Sequence, residues 1–129
     1  MRADGLWHPR LTALITAAGH GDRIVVADAG LPVPVGVETI DLLWRRGEPG
    51  FLPVLTAVLA ECVVETAVAA TGLTDPTIRQ GLTDALGPVP LELVPHAELK
   101  RRTADALVIV RTGEATPYAN VILHCGVPF

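Results

Sequence analysis

Residues 24–34 of the chain read IVVADAGLPVP. The first four are a continuous apolar run, which is typical of a strand buried on both faces. Gly30 and the two prolines that follow it exclude regular structure from the rest of the stretch. The stretch therefore predicts an interior strand that ends in a loop at residues 28–34. In α/β folds, such loops at strand ends carry the functional residues.

The segments on either side of this strand alternate between helical and strand patterns. Helices are predicted at about residues 9–18, 51–60, 76–86 and 96–103. Further strands are predicted at about residues 39–44, 63–71, 89–94, 106–111 and 121–125. Residues 63–71 also fit a helix, but their β-branched side chains favour a strand. The alternation predicts one layered α/β domain over residues 1–129, with a mixed, largely parallel sheet flanked by helices.

Charge and hydropathy argue against two classes of protein. The net charge is −4, and the basic residues are scattered apart from the run at residues 100–102, so no nucleic-acid-binding surface is indicated. The longest apolar stretch, residues 51–70, contains Glu61 and Glu65, which are costly inside a bilayer. We therefore expect a protein that binds neither nucleic acid nor membrane.

The cysteines and the apolar content bear on location and assembly. Cys62 and Cys125 show no CxxC or disulfide-framework spacing, and they indicate small buried residues in a reducing compartment. Asp4 and Pro9 interrupt the weak likeness of the N-terminus to a signal peptide. We expect a cytoplasmic protein. The mean hydropathy of +0.42 suggests that part of its surface is buried against other subunits.

The residue types that are missing narrow the chemistry. The chain has no serine, which excludes a Ser-His-Asp nucleophile. Its four histidines lack the spacing of a zinc site, so we expect no metal. Residues 19–21, Gly-His-Gly, fall short of the dinucleotide fingerprint and follow a helix where that fingerprint follows a strand. We expect no cofactor.

Two polar residues flank the 24–27 strand. His20 either caps the preceding helix, where it satisfies carbonyls, or is an exposed imidazole that transfers protons near neutral pH. Asp28 either forms a turn before Gly30 or belongs to a site. The strand carries Asp28 away from His20, so contact between them depends on how the helix folds back.

A second polar group lies in the last third of the chain. Tyr118 and Asn120 are two residues apart, so in an extended segment their side chains point the same way and suit a polyhydroxylated ligand. His96 and Lys100 lie one turn apart on a predicted helix. Structural alternatives are a tyrosine packed over a turn, an asparagine that ends a loop, and a histidine that caps a helix.

The combination of these segments resembles the D-ribose pyranase and fucose mutarotase superfamily nearly end to end. The matching motifs are GHGD at 19–22, IVVADAGLPVP at 24–34, IDL at 40–42, VRTGE at 110–114, PYAN at 117–120 and the C-terminal GVPF. DAGLP at 28–32 resembles the ribose branch. His8-Pro9 and His124-Cys125 depart from the ribose pattern.

The resemblance implies that the chain interconverts the pyranose and furanose forms of D-ribose by general acid/base ring opening and closing, without a cofactor. It implies a ring-shaped homo-oligomer, a decamer, with pockets at subunit boundaries. His20 would be the catalytic proton donor. The residues implied to bind or lie near the sugar are Asp28, His96, Tyr118, Ala119 and Asn120, with Lys100 as a possible addition. Alternatives are a mutarotase for L-fucose or another sugar, and a non-catalytic sugar-binding module associated with ribose uptake.

Overall fold

The structure, a computed structural model, describes all 129 residues. It contains one six-stranded sheet and four helices. The strands are β1 (Arg23–Ala27), β2 (Glu38–Asp41), β3 (Val64–Ala70), β4 (Leu91–Val94), β5 (Val108–Arg111) and β6 (Val121–Cys125). The helices are α1 (Pro9–Ala17), α2 (Phe51–Glu61), α3 (Pro76–Leu86) and α4 (His96–Arg102), and a 3-10 turn at Thr103–Asp105 follows α4.

The sheet has the strand order β2-β5-β1-β6-β3-β4. Only β6 runs antiparallel to its neighbours, β1 and β3; the remaining pairs are parallel. The predicted mixed, largely parallel sheet is thus confirmed. Five strands end at one edge, where β6 begins. We call it the carboxyl edge, formed by residues 28, 42, 71, 95, 112 and 120, and the opposite edge, with residues 20–22 and 126, is the amino edge.

Burial of β1 on both faces explains its unbroken apolar run. Ile24 and Val26 belong to the larger core, beneath α1, α2 and α3, while Val25 and Ala27 belong to a smaller core on the other face. All four are fully buried. The smaller core is covered by α4, the loop after β1 and Ala106. None of the four helices has the length and apolar character needed to cross a bilayer.

Helix ends follow the capping residues that the sequence offers. The Asp75 carboxylate accepts a hydrogen bond from the Ile78 N–H at 2.9 Å, and Gly87, with φ +56°, ends α3. This confirms the predicted helix at 76–86. His8 caps α1, because its Nδ1 accepts a hydrogen bond from the Leu11 N–H at 3.2 Å.

Three strands are shorter than predicted by two or more residues at one end: β4 and β5 each begin two residues later than their patterns indicated, and β2 ends early. The pattern predicted a strand over residues 39–44, but β2 ends at Asp41. The Asp41 carboxylate accepts a hydrogen bond from the Leu43 N–H and pairs with the Arg111 guanidinium at 2.7 Å, so the chain turns there. The hydrogen bond from Arg111 holds the pKa of Asp41 below its usual range. The pattern of residues 63–71 fitted both a helix and a strand, and residues 64–70 form the strand β3.

Candidate active site

A carboxylate and an amide pair at the carboxyl edge. The Asp28 N–H donates to Asn120 Oδ1 at 2.8 Å, and Asn120 Nδ2 donates back to Asp28 Oδ2 at 3.1 Å. The other carboxylate oxygen accepts from the Gly30 N–H at 2.9 Å. Asn120 is fully buried, whereas Asp28 is half-buried. The pair fixes the orientation of Asp28 and leaves lone pairs on its carboxylate for a ligand.

Two aromatic rings lie next to the Asp28–Asn120 pair, because Tyr118 is two residues before Asn120 in the chain. The His96 and Tyr118 rings meet edge to face, with centroids 4.7 Å apart. His96 Nδ1 is buried and has no hydrogen-bond partner, so one ring nitrogen is unused. The Tyr118 ring lies against Gly72, where a Cβ would come within 3.1 Å of Tyr118 Cδ2. A glycine there admits the ring to the site.

The backbone at Tyr118 differs from the extended segment assumed from sequence. Tyr118 has φ +64°, in the left-handed region, so the rule that alternate residues share a side does not apply. Its side chain is exposed, while that of Asn120 is buried, and the prediction that the two point the same way is wrong. Ala119 is also buried in the core, which leaves only its backbone for a ligand.

The loop before β6 is held by Glu114 and Thr112. The Glu114 carboxylate accepts hydrogen bonds from the Phe51 N–H at 3.1 Å and the Thr116 hydroxyl at 2.9 Å. Burial alone would raise the pKa of Glu114, but these hydrogen bonds hold it below its usual range. The Thr112 hydroxyl donates to the Ala27 carbonyl at 2.7 Å. The loop is therefore tied to the start of α2 and the end of β1.

His20 lies at the amino edge. Its Nε2 is 3.0 Å from Glu65 Oε2, and both side chains are at least half exposed. Glu65 lies where the β3–β6 register shifts between the pairs Val64–Cys125 and Thr66–His124. Such a bulge re-aims a side chain out of the normal alternation. His20 is thus an exposed imidazole beside a carboxylate.

His20 and Asp28 do not meet within one chain. They lie at opposite ends of β1, whose five residues span roughly 17 Å. Asp28 therefore does not contact the His20 imidazole within a single chain, and Glu65 is the carboxylate in contact. Lys100 lies one turn after His96 in α4, with an exposed side chain that makes no hydrogen bond or ion pair. His96 itself is the first residue of α4, and Pro95 occupies the cap.

The hydrogen-bonding side chains at the carboxyl edge suit hydroxyl groups of a polar ligand. A carboxylate, a phenol and an imidazole can each exchange hydrogen bonds with hydroxyls, and an exposed imidazole can carry a proton. No group of three histidine, cysteine or acidic side chains is arranged to hold a metal ion. The chemistry that this set of residues offers is general acid/base catalysis.

A model of the RbsD / FucU transport protein family matches residues 1–128. The chain belongs to that family. Within the RbsD / FucU family, it is 52% identical to "D-ribose pyranase 1" of Rubrobacter xylanophilus over 131 residues, with 100% of both chains covered.

Two solved structures extend the comparison. RbsD of Bacillus subtilis in complex with D-ribose has a TM-score of 0.96 and 39% identity, with 100% of each chain covered. The fucose mutarotase of Streptococcus pneumoniae in complex with L-fucose has a TM-score of 0.81 and 24% identity, over 96% of this chain and 100% of that one. At that identity the second comparison shows the shared fold alone.

Proposed function

We propose that the chain interconverts the pyranose and furanose forms of D-ribose, as its end-to-end relatives named D-ribose pyranase do. The observation that carries this function is the 52% identity over the full length of such a relative. The side chains support it: a proton carrier, a carboxylate and a phenol are sufficient for general acid/base ring opening. No cofactor is required.

His20 is assigned to the ring oxygen in this mechanism. It delivers a proton to the ring oxygen while the anomeric hydroxyl gives its proton to solvent water, and the ring opens to the aldehyde. A different hydroxyl then closes on the aldehyde carbon by the reverse proton transfers. Asp28 and Tyr118 bind hydroxyls of the sugar, Asn120 holds Asp28, and His96 packs edge to face against the Tyr118 ring at the same site. Lys100 is placed near the sugar by the resemblance alone.

We infer that two subunits build each site. Within one chain, the sugar-binding residues are at the carboxyl edge and His20 is at the amino edge, roughly 17 Å away along β1. The two cavities of the chain, of about 250 and 200 Å³, include none of these residues. A ring-shaped decamer that joins the carboxyl edge of one subunit to the amino edge of the next would bring the two halves together.

Exposed apolar side chains support assembly through these edges. At the carboxyl edge, Trp44, three residues after β2, is 71% exposed. At the amino edge, Val127 is exposed and Phe129 is fully exposed. Assembly through these two edges would cover these apolar side chains. The free cysteines fit a cytoplasmic location.

Two-dimensional NMR exchange spectroscopy on D-ribose tests the function. With the purified protein, cross-peaks between pyranose and furanose signals are expected to strengthen, and L-fucose serves as the comparison sugar. Faster exchange of L-fucose anomers alone would assign the mutarotase activity instead. Broadened sugar signals without faster exchange would identify a binding module.

Replacing Glu65 by glutamine is expected to slow ribose exchange by roughly threefold to fivefold, because an exposed contact between an imidazole and a carboxylate contributes at most about 1 kcal/mol. The rate at saturating ribose should fall while the half-saturating concentration stays unchanged, since Glu65 contacts His20 and not the carboxyl-edge residues. Exchange spectroscopy over a range of ribose concentrations measures both quantities. The matched control is Glu38→Gln, which breaks another exposed ion pair, with Arg10. Equal losses of exchange rate in both variants would show that Glu65 does not position His20.

A further inference from the structure

Two free cysteines are in contact next to residues 18–22, the loop that carries His20 and is called the His20 loop here. Cys62 follows α2 directly, and Cys125 is the last residue of β6. Their Sγ atoms are 3.6 Å apart, although 63 positions separate the residues in sequence. This is contact distance for two sulfur atoms, so the side chains are already placed to react with each other.

One of the two thiols is accessible. A cavity of about 200 Å³ lies against the pair, and its lining includes Thr16, Glu61 and Gly126. Cys62 is half-buried, whereas Cys125 is 2% exposed. A small polar reagent that enters the cavity therefore reaches Cys62 first, with Cys125 behind it.

The contact also distinguishes the thiols chemically. Hydrogen bonding with Cys125 lowers the pKa of Cys62. The same hydrogen bond and burial raise the pKa of Cys125. Because the thiolate is the nucleophile, Cys62 is the attacking group and Cys125 the thiol that follows it.

We propose that Cys62 and Cys125 form a redox-active dithiol that reacts with hydroperoxides to give an internal disulfide. The Cys62 thiol loses its proton, the thiolate attacks the terminal peroxide oxygen to form a sulfenic acid, and the O–O bond breaks. The leaving alkoxide (hydroxide, for hydrogen peroxide) takes up the proton that Cys62 released and departs as the alcohol or water. Cys125 Sγ then attacks the Cys62 sulfenic acid and displaces hydroxide, which leaves as water with the proton of Cys125. The two thiols lose two electrons and two protons, and the hydroperoxide is reduced.

The disulfide would act on the amino edge of the site. The Cys125 carbonyl accepts a hydrogen bond from the Gly21 N–H at 2.8 Å, and the Cys125 N–H donates to the Asp22 carbonyl at 2.8 Å. The His20 loop is therefore fastened to Cys125, and Glu65 lies three residues after Cys62. A new bond between the end of α2 and β6 displaces the two elements that hold the imidazole, namely the His20 loop and Glu65. This consequence for the rate, unlike the oxidation itself, rests on the proposed ribose activity.

Hydrogen peroxide is the probe for the test. The reduced protein is treated with it, and intact mass, thiol content after denaturation and peptide mapping are recorded beside the rate of ribose exchange. We expect a loss of about 2 Da per chain, a Cys62–Cys125 cross-link, and reversal by dithiothreitol. The exchange rate should fall threefold or more, because misplacing a catalytic group by about 1 Å costs up to about 10²-fold.

Cys62→Ala and Cys62→Ser are the control variants, chosen because the Cys62 side chain is the more accessible one. Both should keep the exchange rate of the reduced wild type and lose its sensitivity to peroxide. Oxygen adducts or links between chains, without the internal cross-link, would overturn the dithiol. An internal cross-link with an unchanged exchange rate would overturn the coupling to His20. A reduced protein that does not exchange ribose would count against the proposed function, while the mass measurement still decides the dithiol.

Discussion

Replacing His20 by alanine is expected to slow ribose ring exchange by about 10²-fold to 10⁴-fold, the range that general acid/base catalysis contributes. The side chain is 64% exposed, so its removal leaves no cavity and should leave the fold intact. Exchange spectroscopy on D-ribose gives the rate, and size-exclusion chromatography shows whether the assembly is kept. No other exposed imidazole in this chain has a carboxylate partner that could replace it.

The control for this variant is another histidine beside the same helix. His8 caps the start of α1, as His20 lies beyond its end, and His8→Ala should cost about 1 kcal/mol of stability. Its exchange rate should equal that of the wild type. A His20→Ala rate within twofold of the wild type would remove His20 from the mechanism. A loss shared by both variants would indicate that α1, not the imidazole, is responsible.

Local chemistry explains why much of the fold could be predicted. The 24–27 run can be buried on both faces only within a sheet, and Asp75-Pro76 with Gly87 marks both ends of a helix. These signals lie within a few residues of the element they define. They do not reveal strand order, and the central antiparallel position of β6 could not be predicted from its apolar residues.

The contacts within the site depend on that strand order. Asp28 and Asn120 are 92 positions apart, and they pair because β6 begins where β1 ends. Glu65, which sequence analysis used only as evidence against a membrane span, reaches His20 because of a bulge and because β6 lies between β1 and β3. Motif resemblance could name the predicted site residues. It could not show that His20 and Asp28 lie at opposite edges of the sheet.

Mixed assemblies of two inactive variants are expected to recover activity. If His20 comes from one subunit and Asp28 from its neighbour, a His20→Ala chain beside an Asp28→Asn chain can form an intact site. Random assembly of equal amounts gives both native residues in about a quarter of the sites. The variants are to be co-expressed with different tags and purified through both. The rate of ribose exchange is then compared with that of each variant alone.

The control for complementation combines two defects of the same edge. Asp28→Asn and Tyr118→Ala both alter the carboxyl edge, so every site in their mixed assembly carries a defect, and it should stay as inactive as each variant alone. If instead each chain built a complete site by itself, the mixture of His20→Ala with Asp28→Asn would stay inactive too. Recovery in the first mixture and none in the second would show that ribose is bound by the carboxyl edge of one subunit and receives its proton from the amino edge of the next.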